Sequence, residues 1–329
     1  MYQFKDTDFL WHEKLADGLW RITEDWGGPQ KICMYVVEGE NQTAVIDTGC
    51  GATPALRKYI EENITNKQPM IAYMSHSHPD HIGGCTMFDE AWIHPEEVPQ
   101  LAWNLNDKRR VHDAAAFAFT GLPGGKIHAD LDRAMAIWDY CKERYIPVNW
   151  KTVGFKYVTD GDVIDLGNKK LECIYMNAHG SMLYYLRDQD ILLAGDNFTY
   201  TLAVGDIDDD VIAKFEGLAN KLTDKTMIYT GHLYYHENQR PQELNAQILR
   251  QVVQAMRDIV NGVGFENDAK QEMFIVPGAP TLMGYQPDPD DKEGWESYHN
   301  QHPERKGKTP KQGEKYVRMV GPVILTYTR

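Results

Sequence analysis

The sequence is poor in cysteine, in basic charge and in long apolar runs, and each shortage closes a class of explanation. Only five cysteines (Cys33, Cys50, Cys85, Cys141 and Cys173) occur in 329 residues. Their number is odd, they are widely spaced and they form no C-x-x-C pair, which argues against a disulfide framework. Lys and Arg number 34 against 48 Asp and Glu, a formal net charge of −14. A field of that sign repels phosphate backbones and anionic lipid surfaces, so no nucleic acid and no membrane is expected as a partner. Nowhere do 18 apolar residues run together. The N-terminal MYQFKDTDFLWHEK carries acidic residues and lacks the apolar stretch of a secretory signal, and a cytoplasmic location is expected. What is present is ordinary globular composition, 42% hydrophobic and 25% charged, in a chain long enough for one large domain or two small ones.

The first fifty residues read as a β meander. LWRITE, KICMYVVE and QTAVIDTG are rich in Val, Ile, Tyr and Thr and are separated by Gly-Gly-Pro and Glu-Asn turn signals. From Thr53 to about Asn63 the spacing of Ala55, Leu56, Tyr59 and Ile60 predicts a helix, with Thr53 as cap and Pro54 in the first turn. The strand IAYMS then delivers the chain to SHSHPDHIGG. Residues from about 95 to 150 suggest an inserted helical subdomain broken by GLPGG at 121–125. Strands resume with TVGFKYVTDGDVIDLG, KKLECIYMN, SMLYYLRDQD and ILLAGDN. Helices near 209–222 and 241–260 flank the strand TMIYTG. QEMFIVPG and YVRMVGPVILTYTR read as further strands, and the polar, Pro-rich stretch 287–315 between them reads as a long loop, a candidate lid or dimer arm. The expected division is a main body over 1–262 and a C-terminal extension over 263–329.

Chemistry concentrates in His76-Ser-His78-Pro-Asp80-His81. Three imidazoles and a carboxylate within six residues suit a borderline transition metal: zinc, iron or manganese. The run follows an apolar strand, so alternation places His76 and His78 on one side, while Pro79 and Gly83-Gly84 permit the tight turn that carries Asp80 and His81. Such a cluster does not close a tetrahedral shell alone. Three further ligand types occur downstream in one shared context, the end of a short apolar strand beside glycine: His179 after ECIYMN, Asp196 ending ILLAGD and His232 ending TMIYTGH.

In this order AVIDTG, SHSHPDHIGG, AHGS, AGDN and TGH, spanning about Leu19 to His232, resemble the metallo-β-lactamase fold superfamily, especially its glyoxalase II-like and lactonase-like dinuclear branch. The resemblance implies an α/β fold, a four-layer αββα sandwich, and two divalent metal ions, zinc first. His76, His78 and His179 would bind one ion, Asp80, His81 and His232 the other, and Asp196 would bridge them. Asp47 would support the metal loop from behind. The implied activity is hydrolysis of an ester, lactone, thioester or amide bond in a small-molecule substrate by a metal-bridging hydroxide, with Asp80 orienting the water and shuttling the proton.

Weaker candidates surround this set. Tyr200, four residues after Asp196, could donate to an oxyanion or leaving group, and Tyr234, Tyr235 and His236 could line the pocket. Lys108-Arg109-Arg110-Val111-His112 could clamp an anionic substrate group through Arg109 and His112, although a solvated helix face is the plainer reading of that run. Two other activities share the fold: a mononuclear-iron persulfide dioxygenase, and a phosphodiesterase. The second is disfavoured because the insertion carries seven basic against eight acidic residues. A homodimer is the candidate assembly.

Overall fold

The computed structural model describes residues 2–119, 131–235, 239–271, 286–301 and 314–328. The expected meander is there: β1 (Leu10–Ala16), β2 (Leu19–Glu24), β3 (Gln30–Glu38) and β4 (Thr43–Ile46) pair antiparallel in sequence order. Onto β4 are added, in parallel, β5 (Met70–Tyr73), β6 (Glu90–Ile93) and the two-residue β7 (Lys156–Tyr157). A second sheet is built from β8 (Val163–Asp165), β9 (Lys170–Tyr175), β10 (Met182–Leu186), β11 (Ile191–Gly195), β13 (Met227–Thr230) and β15 (Leu244–Asn245), adjacent in that order. The strand β14 (His232–Tyr234) leaves β13 and pairs with β3 of the first sheet.

Alternation along β3 decides the layers. Cys33, Tyr35 and Val37 enter the core between the sheets, while Met34 and Val36 enter an outer core beneath α1 (Leu56–Asn63), where Leu56 and Ile60 meet them. Two tyrosines tie sheet to sheet: Tyr35 Oη donates to the Thr230 carbonyl (2.6 Å) and Tyr184 Oη to the Met74 carbonyl (2.7 Å). Beyond the second sheet, α6 (Asp209–Lys221) and α7 (Ala246–Val260) contribute Phe215, Leu249 and Val252 to the same core. Their starts are fixed by side-chain caps, Asp208 accepting from Val211 N (2.8 Å) and Asn245 from Ile248 N (3.0 Å). The layers are therefore αββα. In α1 the expected cap is absent; Thr53 Oγ1 donates instead to the Asp6 carbonyl (3.3 Å), and the helix begins at Leu56.

The insertion holds α3 (Leu101–Asn104), α4 (Asp107–Phe119) and α5 (Leu131–Lys142). GLPGG lies outside the described residues, as does QEMFIVPG after Gln271. The stretch read as a loop contains a helix, α8 (Lys292–Gln301), opened by Asp291 Oδ1 accepting from Gly294 N (2.8 Å). Trp295 and Tyr298 lie three residues apart on it, a helical spacing, and Tyr298 packs edge-on against Trp103 with centroids 5.9 Å apart. The C-terminal hairpin β17 (Lys315–Val320) and β18 (Val323–Thr328) lies between β16 (Ala269–Lys270) and β12 (Thr201–Asp206) in a third sheet. Because β12 belongs to the main body and pairs parallel with β18, the extension is stitched into that body. Among the described residues no helix is long and apolar enough to cross a membrane.

Candidate metal centre

Five strands end at one place. β4 and β5 run parallel in the first sheet; in the second, β11 and β13 are parallel, and β9 points the same way because β10 lies antiparallel between β9 and β11. Loops leaving their C-terminal ends carry Asp47, the His76–His81 run, His179, Asp196 and, across Gly231, His232. Pro79 opens the short helix α2 (Pro79–Ile82), which turns Asp80 and His81 back toward His76. The loops approach so closely that side chains are excluded. A Cβ on Gly83 would fall on the Cys50 carbonyl, and one on Gly231 would fall on Asp196 Oδ1.

The seven predicted ligands converge. His76, His78 and His179 form one group, Asp80, His81 and His232 a second, and His76, His81 and Asp196 a third, with all ligand atoms of a group within 4.8 Å of one another. His78 Nδ1 lies 3.2 Å from His179 Nε2, and His81 Nε2 lies 3.3 Å from His232 Nε2. Asp80 Oδ2 is 3.2 Å and Asp196 Oδ2 is 3.1 Å from His232 Nε2. His76 Nε2 and Asp196 Oδ1 are buried and have no hydrogen-bond partner among the described residues. Orphaned buried acceptors are costly, and a nitrogen-rich donor set around two carboxylates fits divalent cations of the zinc type. The sulfur of Cys85 is in none of the three groups; burial pushes that thiol up to about 12.

Supporting residues set which nitrogen faces inward. Asp47 accepts from Ser75 N (2.7 Å), Ser75 Oγ (2.7 Å) and His81 Nδ1 (2.9 Å), turning His81 Nε2 toward the centre. Because Ser75 Oγ donates to Asp47, it accepts from His76 Nδ1 (2.9 Å), which frees His76 Nε2. His232 Nδ1 donates to the Lys31 carbonyl (3.1 Å), with the same result. Asp47 holds φ at 60°, a left-handed conformation that Asp tolerates better than most residues. Asn197, next to Asp196, accepts from His179 N (3.1 Å) and Gly180 N (3.2 Å) and fixes that loop. Ser75 and Asn197 carry no sequence signal of their own beyond directly adjoining a ligand.

Electrostatics separates the imidazoles. Burial, reinforced by neighbouring rings, holds His76 and His78 well below the usual histidine range, so both are neutral donors. For His81 and His232 burial acts the same way but is outweighed by Asp80 and Asp196; His81 is held well above the usual range and His232 is raised to about 9. Burial alone would raise the two aspartates, yet the charges of His81 and His232 keep both well below the usual carboxylate range. A cation entering the group would displace those two imidazolium protons. The buried wall comprises His76, Asp80, His81, Asp196 and His232, whereas His78 is half-buried and His179 exposed, so the centre opens to solvent on the His78 and His179 side.

The other candidates divide. Helix α4 covers the centre: Phe117 stacks on His232 with centroids 5.6 Å apart. Apart from the exposed Lys108, the basic run is not a solvated face. Arg109 is buried, its charge acts on His78 and Asp80, and Nη1 donates to Asn104 Oδ1 (2.5 Å) and Gln301 Oε1 (3.1 Å). Arg110 is fully buried and donates to the carbonyls of Gly51 (3.2 Å), Gly83 (2.8 Å) and Ile146 (2.6 Å). It also donates to Asp107 Oδ1 (2.6 Å), one helical turn earlier; the other acceptors are main-chain oxygens, which a side-chain pattern does not reveal. His112 packs edge-on against Trp138 with Nδ1 3.3 Å from Asp113 Oδ1. The structure turns Tyr200 elsewhere: its hydroxyl donates to the Gln242 carbonyl (2.9 Å), and the charges acting most on it are those of Glu243, Arg21, Cys33 and Arg240. Tyr235 is half-buried, with its ring 5.7 Å from Lys31 Nζ. Of the two, Tyr234 is the one that senses Asp196 and Asp80, and its ring lies 6.4 Å from that of His232. His236 lies outside the described residues.

Residues 27–247 match the model of the metallo-beta-lactamase superfamily, and the chain belongs to that superfamily. Among curated relatives, the acyl-coenzyme A thioesterase MBLAC2 of Homo sapiens is 28% identical over 200 residues, and its Bos taurus counterpart 28% identical over 197. Each match covers 56% of this chain and 65% of the relative, slightly under two thirds of its length. A probable metallo-hydrolase, YqgX of Bacillus subtilis, is 24% identical over 212 residues, 62% of this chain and 86% of the relative. A solved metallo-beta-lactamase family protein from Thermus thermophilus superposes with a TM-score of 0.49 at 16% identity, covering 96% of this chain and all of that one.

Proposed function

We propose that the chain is a two-metal hydrolase, with zinc as its metal, that cleaves an acyl thioester or related ester bond in a small molecule. The observation that carries this reading is the convergence of seven ligand side chains around two buried acceptors, His76 Nε2 and Asp196 Oδ1, that lack a hydrogen-bond partner among the described residues. His76, His78 and His179 would hold one ion and Asp80, His81 and His232 the other, with Asp196 shared. Bound there, the ions would supply a water acidified toward neutrality and a Lewis acid for the acyl oxygen. Asp80 turns Oδ2 toward His81 and His232, and its second oxygen is available to orient water and pass a proton to the departing sulfur. Phe117, against His232, keeps bulk water off one side. Arg109 sets positive charge beside His78 at the open side, where an anionic carrier group would approach. The thioester preference is supported by the activity for which the thioesterase relatives are named.

The test is elemental analysis of the purified chain together with thiol release from acyl-coenzyme A, followed with a chromogenic disulfide. Two zinc-type ions per chain are expected, and Asp80→Asn should lower kcat/KM about a hundredfold or more. A folded chain holding no transition metal, or thiol release untouched by that substitution, overturns the proposal.

A further inference from the structure

Outside the ligand set, one buried carboxylate touches both loops that carry His76, His78 and His179. Glu97 is 7% exposed and sits in the helical turn Pro95–Gln100 that follows β6. Its Oε2 accepts from Ser77 N (3.0 Å) and Ser77 Oγ (2.7 Å); its Oε1 accepts from Ser181 Oγ (2.5 Å). Ser77 lies between His76 and His78, and Ser181 lies two residues after His179. One side chain therefore joins the two segments from which the His76, His78 and His179 group is assembled, beside the main-chain bonds that Ser181 N (3.3 Å) and Met182 N (2.9 Å) donate to the Ser75 carbonyl. The link is anchored on its far side as well. Ser77 Oγ accepts from Asn104 Nδ2 (3.0 Å), Asn104 Oδ1 accepts from Arg109, and Arg109 reaches Gln301 at the end of α8. By contrast, the group formed by Asp80, His81 and His232 is held by Asp47 and the Lys31 carbonyl, a support that does not run through Glu97.

We infer that Glu97 is a positioning residue that builds one of the two metal sites selectively, clamping the His76–His78 and His179 loops at the distance the ion requires. The inference rests on the two-metal reading above and extends it to an asymmetry between the sites. The main-chain bonds converge on the single Ser75 carbonyl; a carboxylate with three donors on two loops adds a second point of attachment, at Ser77 between the two histidines, and its rigid fork sets both oxygens at once. Partners that orient metal ligands commonly change affinity about 10–100-fold when removed.

The experiment compares metal binding by wild type, Glu97→Ala, Glu97→Gln and Ser181→Ala in the full chain, using zinc competition against a chromogenic chelator and the visible spectrum of the cobalt-loaded protein. Wild type must take up two ions; if it takes up none, the two-metal reading fails and not this inference alone. Given two ions in wild type, Glu97→Ala should weaken one of them about 10–100-fold and leave the other within about twofold. Glu97→Gln keeps an oxygen for Ser77 and an amide for Ser181 Oγ, so it should restore most of the loss. Ser181→Ala, which cuts only the Oε1 bond, should move the same ion in the same direction by less, and it decides the matter if Glu97→Ala does not fold. Activity of Glu97→Ala should return with excess zinc at an unchanged KM. Val252→Ala, a cavity in the α7 core, should lower stability and leave both affinities alone. Equal weakening of both ions, or no weakening of either in folded variants, overturns the inference.

Discussion

Asp47→Asn isolates what orientation alone contributes to the centre. The aspartate accepts three hydrogen bonds, two from Ser75 and one from His81 Nδ1. Asparagine keeps the size and tolerates φ of 60°, so the backbone need not move. It has one oxygen instead of two. If that oxygen stays on Ser75 N, the amide nitrogen faces Ser75 Oγ and His81 Nδ1 as a donor, and His81 must shift its proton to Nε2 to accept. The shift occupies the lone pair that points at Asp80 and Asp196. If the amide is turned the other way, its nitrogen meets the Ser75 N–H, donor against donor. Either conflict should weaken the ion held by Asp80, His81 and His232 about 10–100-fold, or about 1.4–2.8 kcal/mol; with the amide nitrogen on Ser75 Oγ, that hydroxyl turns to donate to His76 Nδ1, and the ion on His76, His78 and His179 should weaken as well. Zinc competition titrations on folded variant and wild type measure both constants. Unchanged affinity for both ions would refute the argument that Asp47 sets the His81 tautomer.

Two further outcomes test other parts of the structure. Burial raises Glu24 from 4.5 to about 7, so its contribution to folding is complete below the ordinary value and is lost as pH rises through about 7. The loss amounts to about 3 kcal/mol. Glu24→Gln stays neutral, and in metal-stripped protein its stability relative to wild type, from urea melts, should rise by that order between pH 4.5 and 8; a flat difference contradicts the assignment. Tyr200→Phe removes a buried bond to the Gln242 carbonyl and should cost about 1 kcal/mol of stability with kcat/KM for thioester cleavage unchanged, whereas a large fall in kcat would restore Tyr200 to the reacting centre.

The legible part of the centre was the part encoded by side-chain type at short range. His76, His78, Asp80 and His81 announce themselves because four ligand types fall within six residues. His179, Asp196 and His232 could be read because each ends an apolar strand, and β9, β11 and β13 point the same way. Glu97 carried no such signal: its partners Ser77 and Ser181 lie 20 and 84 residues away in sequence, and a Glu in a polar turn looks solvated. The same holds for Arg109 and Arg110, whose run has the composition of an exposed helix face. Trp295 and Tyr298 did carry a helical signal, which the surrounding proline and charge masked.

The burial of Arg110 shows why the insertion belongs to the centre. Its guanidinium holds the Gly51 and Gly83 carbonyls together, and those carbonyls close the loops that begin at Asp47 and at Asp80–His81. A Cβ on Gly51 would fall on the Gly83 carbonyl and one on Gly83 on the Cys50 carbonyl, so the two loops touch with no space for side chains. Main-chain oxygens brought together repel one another unless a donor lies between them. A planar cation with several N–H groups reaches both from outside the contact, which accounts for the burial of Arg110 on α4. Arg109, one residue earlier, reaches Asn104 and, through it, Ser77. Adjacent arginines on one inserted helix thus brace opposite halves of the metal centre, and the helix that covers the ligands is also what holds their loops in register.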